Sequence, residues 1–444
     1  MAMPREIRCL RGRAGSLNLL QMKSGVFCKL ILFFAAVASG FAEENWPQFR
    51  GPHANGKSDS KGLPISWSDS EHVKWKTPIH GKAWSCPVIF GDQVWVTTAT
   101  KDGKKLSVIQ LDRETGKIER DSLLFEVEAP QFCHDFNSYA SPTPVIEEGR
   151  IYVTFGSPGT ACVDTKTGQK LWERRDFVCN HFRGAGSSPV LYKDLLIMDF
   201  DGSDNQFVVA LDKKTGRTVW KTNRSIDFQD LKNGKPEADG DFRKAFSTPR
   251  IEMLNGKDTL ISLGSKALYA YEPLTGKELW RVEERKCHSG SAQPAVADGI
   301  IYSCMGFSRG QLLAVKPGTS SGTLDESHVV WRGTRNVSLK PSVIVENGLL
   351  FMLDDGGIVS CLDAKTGDEI WRERVQGNYS ASPLLADGRL YIFSEEGKAS
   401  VLAAGREFKV LATNMMPDGI MSTPAIAGKA LYVRTKTGLY RVEE

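Results

Sequence analysis

The chain of 444 residues carries 57 Lys and Arg against 53 Asp and Glu, with 41% hydrophobic and 25% charged side chains. So even a charge balance excludes a nucleic-acid binder that works through a basic excess, and the apolar content excludes disorder over most of the length. The 42 glycines, spread along the sequence, predict many turns.

At the N-terminus, Lys23 and Lys29 precede an apolar run, Leu30 to Ala38, and small residues end at Ala42. The run is too short to span a bilayer. Its layout is that of a secretory signal peptide cut near Ala42 and Glu43, so residues 1–42 are expected to be removed, with Met22 as an alternative start. Cys28 lies ahead of the apolar run rather than after it, so no lipid anchor is expected. The leader holds six basic residues and Glu6, which leaves residues 43–444 close to neutral. An exported protein, periplasmic or secreted, follows, with an N-terminal extension over 43–65 and one folded unit over 66–444.

Beyond residue 66 a unit recurs. A proline leads into an apolar strand, then a turn with Gly, a second strand, and a segment of eleven residues. The clearest copies of that segment are Cys162–Trp172, Ala210–Trp220, Ala270–Trp280 and Cys361–Trp371; Gln110–Arg120 keeps the frame with Arg in the last place. Strand starts at Pro87, Pro144, Pro189, Pro249, Pro294, Pro341, Pro383 and Pro424 count eight units, about 48 residues apart, the length of a four-stranded propeller blade. Asn255-Gly256 and Asp387-Gly388 suit tight hairpins. The last unit ends without an outer Trp strand, and His72–Pro78, with Trp75, can supply one. The expected fold is therefore all-β, an eight-bladed β-propeller whose ring is closed by an N-terminal strand, which removes an exposed edge; seven blades would require one unit to be a loop insertion.

The pattern A-x-D-x-x-T-G-x-x-x-W resembles the tryptophan-docking repeat of PQQ-binding-like propellers, the quinoprotein alcohol dehydrogenase-like group, over roughly residues 66–444. The resemblance implies that Trp172, Trp220, Trp280 and Trp371 stack on neighbouring blades with each indole N–H on a backbone carbonyl, and that Gly168, Gly216, Gly276 and Gly367 leave room for the rings. Trp75 is expected to play the same part in the closing blade. The opening NWPQFRGP, Asn45 to Pro52, is also similar to exported members of the group.

This group holds both enzymes and scaffolds, so fold does not decide function. The dehydrogenases bind pyrroloquinoline quinone (PQQ) with Ca²⁺, often below a disulfide of adjacent cysteines; this sequence has no Cys-Cys pair, and no C-x-x-C-H for a covalent haem. What topology gathers on one face instead is a set of loop residues ahead of the inner strands: His80, His134, Asp135, His181, Arg183 and His288. They offer a polar ligand, anion or metal site at the channel mouth. The plainer alternative pairs Cys133 with Cys179 in a disulfide and leaves the histidines lining a solvated channel; it is preferred because no tight metal-ligand spacing such as H-x-x-x-H occurs, so no metal is assigned. Seven cysteines beyond the leader, an odd number, leave at least one unpaired within the chain. The leading expectation is an exported, non-catalytic binding or assembly scaffold of BamB-like type, without cofactor, and with a protein or envelope-component partner rather than a nucleic acid. The alternative is a PQQ and calcium-dependent dehydrogenase of alcohols or sugars with a variant site.

Overall fold

Apolar and polar residues alternate along strands that are mostly three to seven residues long, and each run of four such strands closes into one antiparallel sheet. The computed structural model describes residues 45–444; the expected signal peptide lies outside the described residues. Eight sheets follow one another as blades. Blade one runs from Val88–Phe90 inside to Ile118–Glu126 outside, and blade eight contains Ala425–Ala427, Ala430–Arg434 and Gly438–Val442. The eighth blade is completed by Val73–Pro78, which pairs antiparallel with Gly438–Val442 and places Trp75 opposite Arg441. The ring is thereby closed with one strand from the start of the chain and three from its end.

The apolar core is divided into layers between neighbouring blades. Val88, Trp95 and Val108 of blade one, for example, pack on Ile146, Ile151 and Val163 of blade two, all essentially fully buried. Within a blade the hairpins are tight because the turn residues accept positive φ: Asn255 and Gly256 sit at 50° and 77°, Asp387 and Gly388 at 51° and 71°.

Around the channel, hydroxyls stitch one blade to the next. In six of the eight blades the residue at the strand start donates its backbone N–H to the hydroxyl at the corresponding place in the following blade: Cys86 to Thr143 (3.0 Å), Thr143 to Ser188 (2.9 Å), Ser188 to Thr248 (3.0 Å), Gln293 to Ser342, Ser342 to Ser382 and Ser382 to Thr423 (2.9 Å each). This explains why Ser or Thr so often precedes the proline. It also corrects one strand start: in blade six Ser342 holds the hydroxyl position, so Val343 rather than Pro341 stands where the other blades have proline.

On the outer side, indole rings join blades. Trp75 donates to the Arg113 carbonyl (2.9 Å), and Trp172, Trp220 and Trp371 donate to Lys213, Pro273 and Gly405 (3.0 Å each). At Gly276, with φ at 69°, a Cβ would lie 2.3 Å from the Trp220 ring, so only glycine admits it. Three positions depart from the expected pattern. Gly168 faces Arg120, not a tryptophan; the guanidinium takes the indole's place and donates to the Lys166 carbonyl. Trp280 is buried, yet its strand is edged by an added parallel strand, Gly322–Leu324, and its indole makes no such bond among the described residues. Gly367 faces Trp331, which bonds the Ala364 carbonyl at 3.0 Å. Trp331 is the fifth blade's docking residue, displaced from the repeat by the added strand and a 3-10 turn, Glu326–His328.

The N-terminal extension crosses the hairpin end of the channel. Trp46 exchanges two backbone bonds of 2.9 Å with Ile89, the Pro47 carbonyl accepts from Ile146 (2.9 Å), Arg50 Nη2 donates to Val343 (2.7 Å), and Lys57–Ser58 pairs with Leu385 and Ala386. Trp46 and Arg50 are fully buried. The segment is thus a plug that ties blades one and two to blades six and seven.

Candidate functional site

With one end plugged, the channel opens towards the loops that precede the inner strands. The loop after blade one reaches over this mouth: Trp84 donates its indole N–H to the Phe136 carbonyl (2.9 Å), and the Phe136 ring lies 4.3 Å from the ammonium of Lys340 in blade six. Lys340 is held by Asp355 (3.3 Å) and Glu395 (3.1 Å). Beneath lies a cavity of about 100 Å³ whose wall combines Phe49 of the plug, Cys86, the hydroxyls of the inter-blade ring, Phe246, Met421 and Lys340.

The sequence candidates share this face but do not converge. His80 turns outward to Asp121 on the outer strand of blade one (2.7 Å), both exposed. His134 accepts the Phe136 N–H at its Nδ1 (3.1 Å), while the Asp135 backbone carbonyl takes the Lys82 ammonium. His181 is buried; its Nε2 accepts from Ser157 N (3.0 Å), and burial pulls its pKa down to about 4, so the ring is neutral. The carbonyl of Arg183 accepts from Asn137 (3.0 Å), and its guanidinium stacks 5.4 Å from Phe182. His288 bonds the Ser289 hydroxyl (2.9 Å) and packs 4.8 Å from Phe242; burial, then Lys244 and Lys266, lower its pKa. Among the described residues no group of three His, Cys, Asp or Glu is placed to hold a metal ion.

The Cys133 and Cys179 thiols are both free, so the disulfide weighed from the sequence is not formed. Cys133 Sγ points at the Arg183 carbonyl (3.6 Å), whereas Cys179 Sγ points at Asn205 O (3.7 Å) and His181 Nδ1 (3.9 Å). Burial pushes the Cys133 thiol up to about 11 and keeps it protonated at neutral pH.

What sequence reasoning missed lies just below. Arg224 Nε and Nη2 meet both oxygens of Asp201 (2.9 and 2.6 Å), and Nη2 also reaches Asp199 (3.3 Å) and Ser262 Oγ (2.8 Å), all with side chains at most 3% exposed. Burial raises the Asp199 carboxyl, with Arg224 opposing it. The signal was present as two acids at alternate positions of the otherwise apolar strand Leu195–Asp201.

A quinone with Ca²⁺ needs a wall rich in carboxylate and amide oxygens, because calcium takes six to eight oxygen ligands. No carboxylate lines the channel cavity among the described residues, its one charged wall residue is Lys340, and Asp199 and Asp201 are engaged by Arg224. These residues do not fit the group.

Comparison with known proteins accords with the propeller. The profile of the family described as outer membrane protein assembly factor BamB, a PQQ-binding-like propeller family, matches residues 61–175, 134–222 and 320–438. The chain belongs to this family. Within it, the chain is 20% identical over 257 residues to BamB of Legionella pneumophila (strain Paris), across 57% of this chain and 50% of that protein. It therefore spans about half the length of that relative. A shorter stretch of 147 residues is 29% identical to the quinoprotein ethanol dehydrogenase of Pseudomonas aeruginosa, across 31% of this chain and 22% of the relative. A europium-containing methanol dehydrogenase shares the fold at a TM-score of 0.66 and 13% identity, across 89% of this chain and 90% of the other. BamB-like chains and quinoprotein dehydrogenases are thus both kin to this propeller.

Proposed function

We propose that the chain is an exported, non-catalytic scaffold that binds a protein or envelope component through the loop face of its ring, in the manner of an outer membrane assembly factor. The observation that carries this reading is the chemistry of the channel cavity: hydroxyls, aromatic rings and one lysine, with no carboxylate in its lining among the described residues, below a loop that spans the mouth. The surroundings of that mouth support it. Phe132, Val178 and Phe307 stand 67%, 66% and 57% exposed on loops of that face, and apolar side chains set on polar loops are what a partner surface offers. No helix among the described residues is long and apolar enough to cross a membrane.

The kinship with quinoprotein ethanol dehydrogenase favours a second reading, a quinone-dependent dehydrogenase, against which the channel wall stands. A photo-crosslinking residue placed at Phe132 or Phe307 in the producing cell, with Met253 on the hairpin face as the comparison, tests the scaffold. Discrete crosslinked species from the first two and none from Met253 are expected. Equal or absent crosslinking at all three contradicts a mouth-directed scaffold.

A further inference from the structure

On the hairpin side, the plug and the inner strands of blades three, four and five enclose a cavity of about 380 Å³, the size at which small-ligand pockets begin. Its walls are largely polar. Arg250 forms one side, 2% exposed in its side chain, with Nη1 on the Pro294 carbonyl (3.0 Å), Nη2 towards the His53 carbonyl (3.4 Å) and Glu252, and its buried Nε without a partner. Arg50 is near enough for the two cations to repel each other, and its Nε and Nη1 are likewise buried without partners. Burial lowers Arg250 to about 10 and Arg50 to about 9, so both remain charged at neutral pH. The carboxylate of Glu252 pairs with Arg250, whereas Arg50 bonds only the Asn55 and Val343 carbonyls and no carboxylate among the described residues. A buried cation short of a counter-charge is costly, and an anion in the adjoining cavity would relieve it.

The opposite wall suits a hydroxylated molecule. Gln48 uses its amide N–H on the Pro52 carbonyl (3.2 Å) and keeps Oε1 as an acceptor; Asn55 uses Oδ1 on the Lys57 N–H (2.9 Å) and keeps its Nδ2 donor.

We infer that this cavity is a binding site for a small hydroxylated carboxylate, its charge directed to Arg250 and its hydroxyls to Gln48 and Asn55. The site is separate from the mouth surface and stands or falls independently of the scaffold reading. Leu191, half-buried on the rim, is the place to fill the cavity without touching a charge. Calorimetric titration of the full chain lacking its leader, with glucuronate and citrate at low salt, is the test, with Arg250→Gln and Leu191→Trp as variants and glucose as the neutral probe. Saturable binding of at least one carboxylate is expected, weakened about tenfold or more in both variants and for glucose. If Arg250→Gln does not fold, Leu191→Trp decides. Absence of binding by both carboxylates up to about 10 mM, or binding unchanged in Leu191→Trp, overturns the inference.

Discussion

Replacing Arg224 by Ala is expected to destabilise the propeller by about 3–5 kcal/mol, because it leaves two carboxylates buried between blades three and four without their cation. The guanidinium contacts Asp199, Asp201, Ser262 and the Tyr271 hydroxyl (3.2 Å) and lies 4.9 Å from the Tyr269 ring. The effect also has a pH sign. A carboxyl whose pKa is raised in the folded state, as burial does at Asp199, favours the fold while protonated; that stability is full below the unfolded pKa and is lost as pH rises through the folded one. With Arg224 gone the shift widens, so the gap in urea midpoint between variant and wild type should grow between pH 5 and pH 8, above the usual carboxylate value of about 4, where the raised Asp199 carboxyl ionises. Adding Asp199→Asn and Asp201→Asn to the variant should recover a large part of the loss and flatten its pH dependence. A gap that shrinks as pH rises would contradict this account.

Trp220→Ala should cost a similar amount, about 3–5 kcal/mol. The ring is 8% exposed, packs against Gly276, and donates its indole N–H to Pro273 at 3.0 Å. Truncation therefore opens a cavity between blades three and four and strips a carbonyl of its donor. Trp220→Phe separates the two parts, since it keeps most of the apolar contact and should lose about 1 kcal/mol through the missing bond. The neighbouring Val219 is 51% exposed, and Val219→Ala should stay within about 0.5 kcal/mol. Chemical denaturation followed by tryptophan-independent circular dichroism reads all three. Equal losses from Trp220→Ala and Val219→Ala would show that the ring does not fasten the blades.

The architecture was legible in the sequence because its signals are local and repeated. A Trp opposite a small residue, Ala210 with Trp220 or Cys361 with Trp371, marks the third and fourth strands of blades two, three, four and six, and the same pairing of Ala314 with Trp331 was hidden only by the longer connection between them. Lys340-Pro341 misled by two residues because the hydroxyl ring, which fixes the register, joins residues in different blades. The closing strand could be read from a missing partner at the other end of the chain.

The site was far less legible. His80, His134, His181 and His288 do sit on one face, as topology requires, but spacing says nothing of where a side chain finds its nearest partner, and each is satisfied within its own neighbourhood. Cys133 and Cys179 lie in adjoining loops whose side chains point to different carbonyls. Arg50 belongs to a segment without any strand or helix period, so nothing in its sequence announced that it would be buried in the ring.

We propose that this propeller shares the ring of its dehydrogenase kin but not their quinone chemistry. Purified residues 43–444, incubated with PQQ and Ca²⁺, dialysed, and assayed for bound quinone by absorbance and for dye reduction with alcohols and sugars, test it most directly. The channel wall predicts no stoichiometric quinone and no turnover above protein-free controls. Retention of one quinone per chain together with substrate-dependent dye reduction would contradict it.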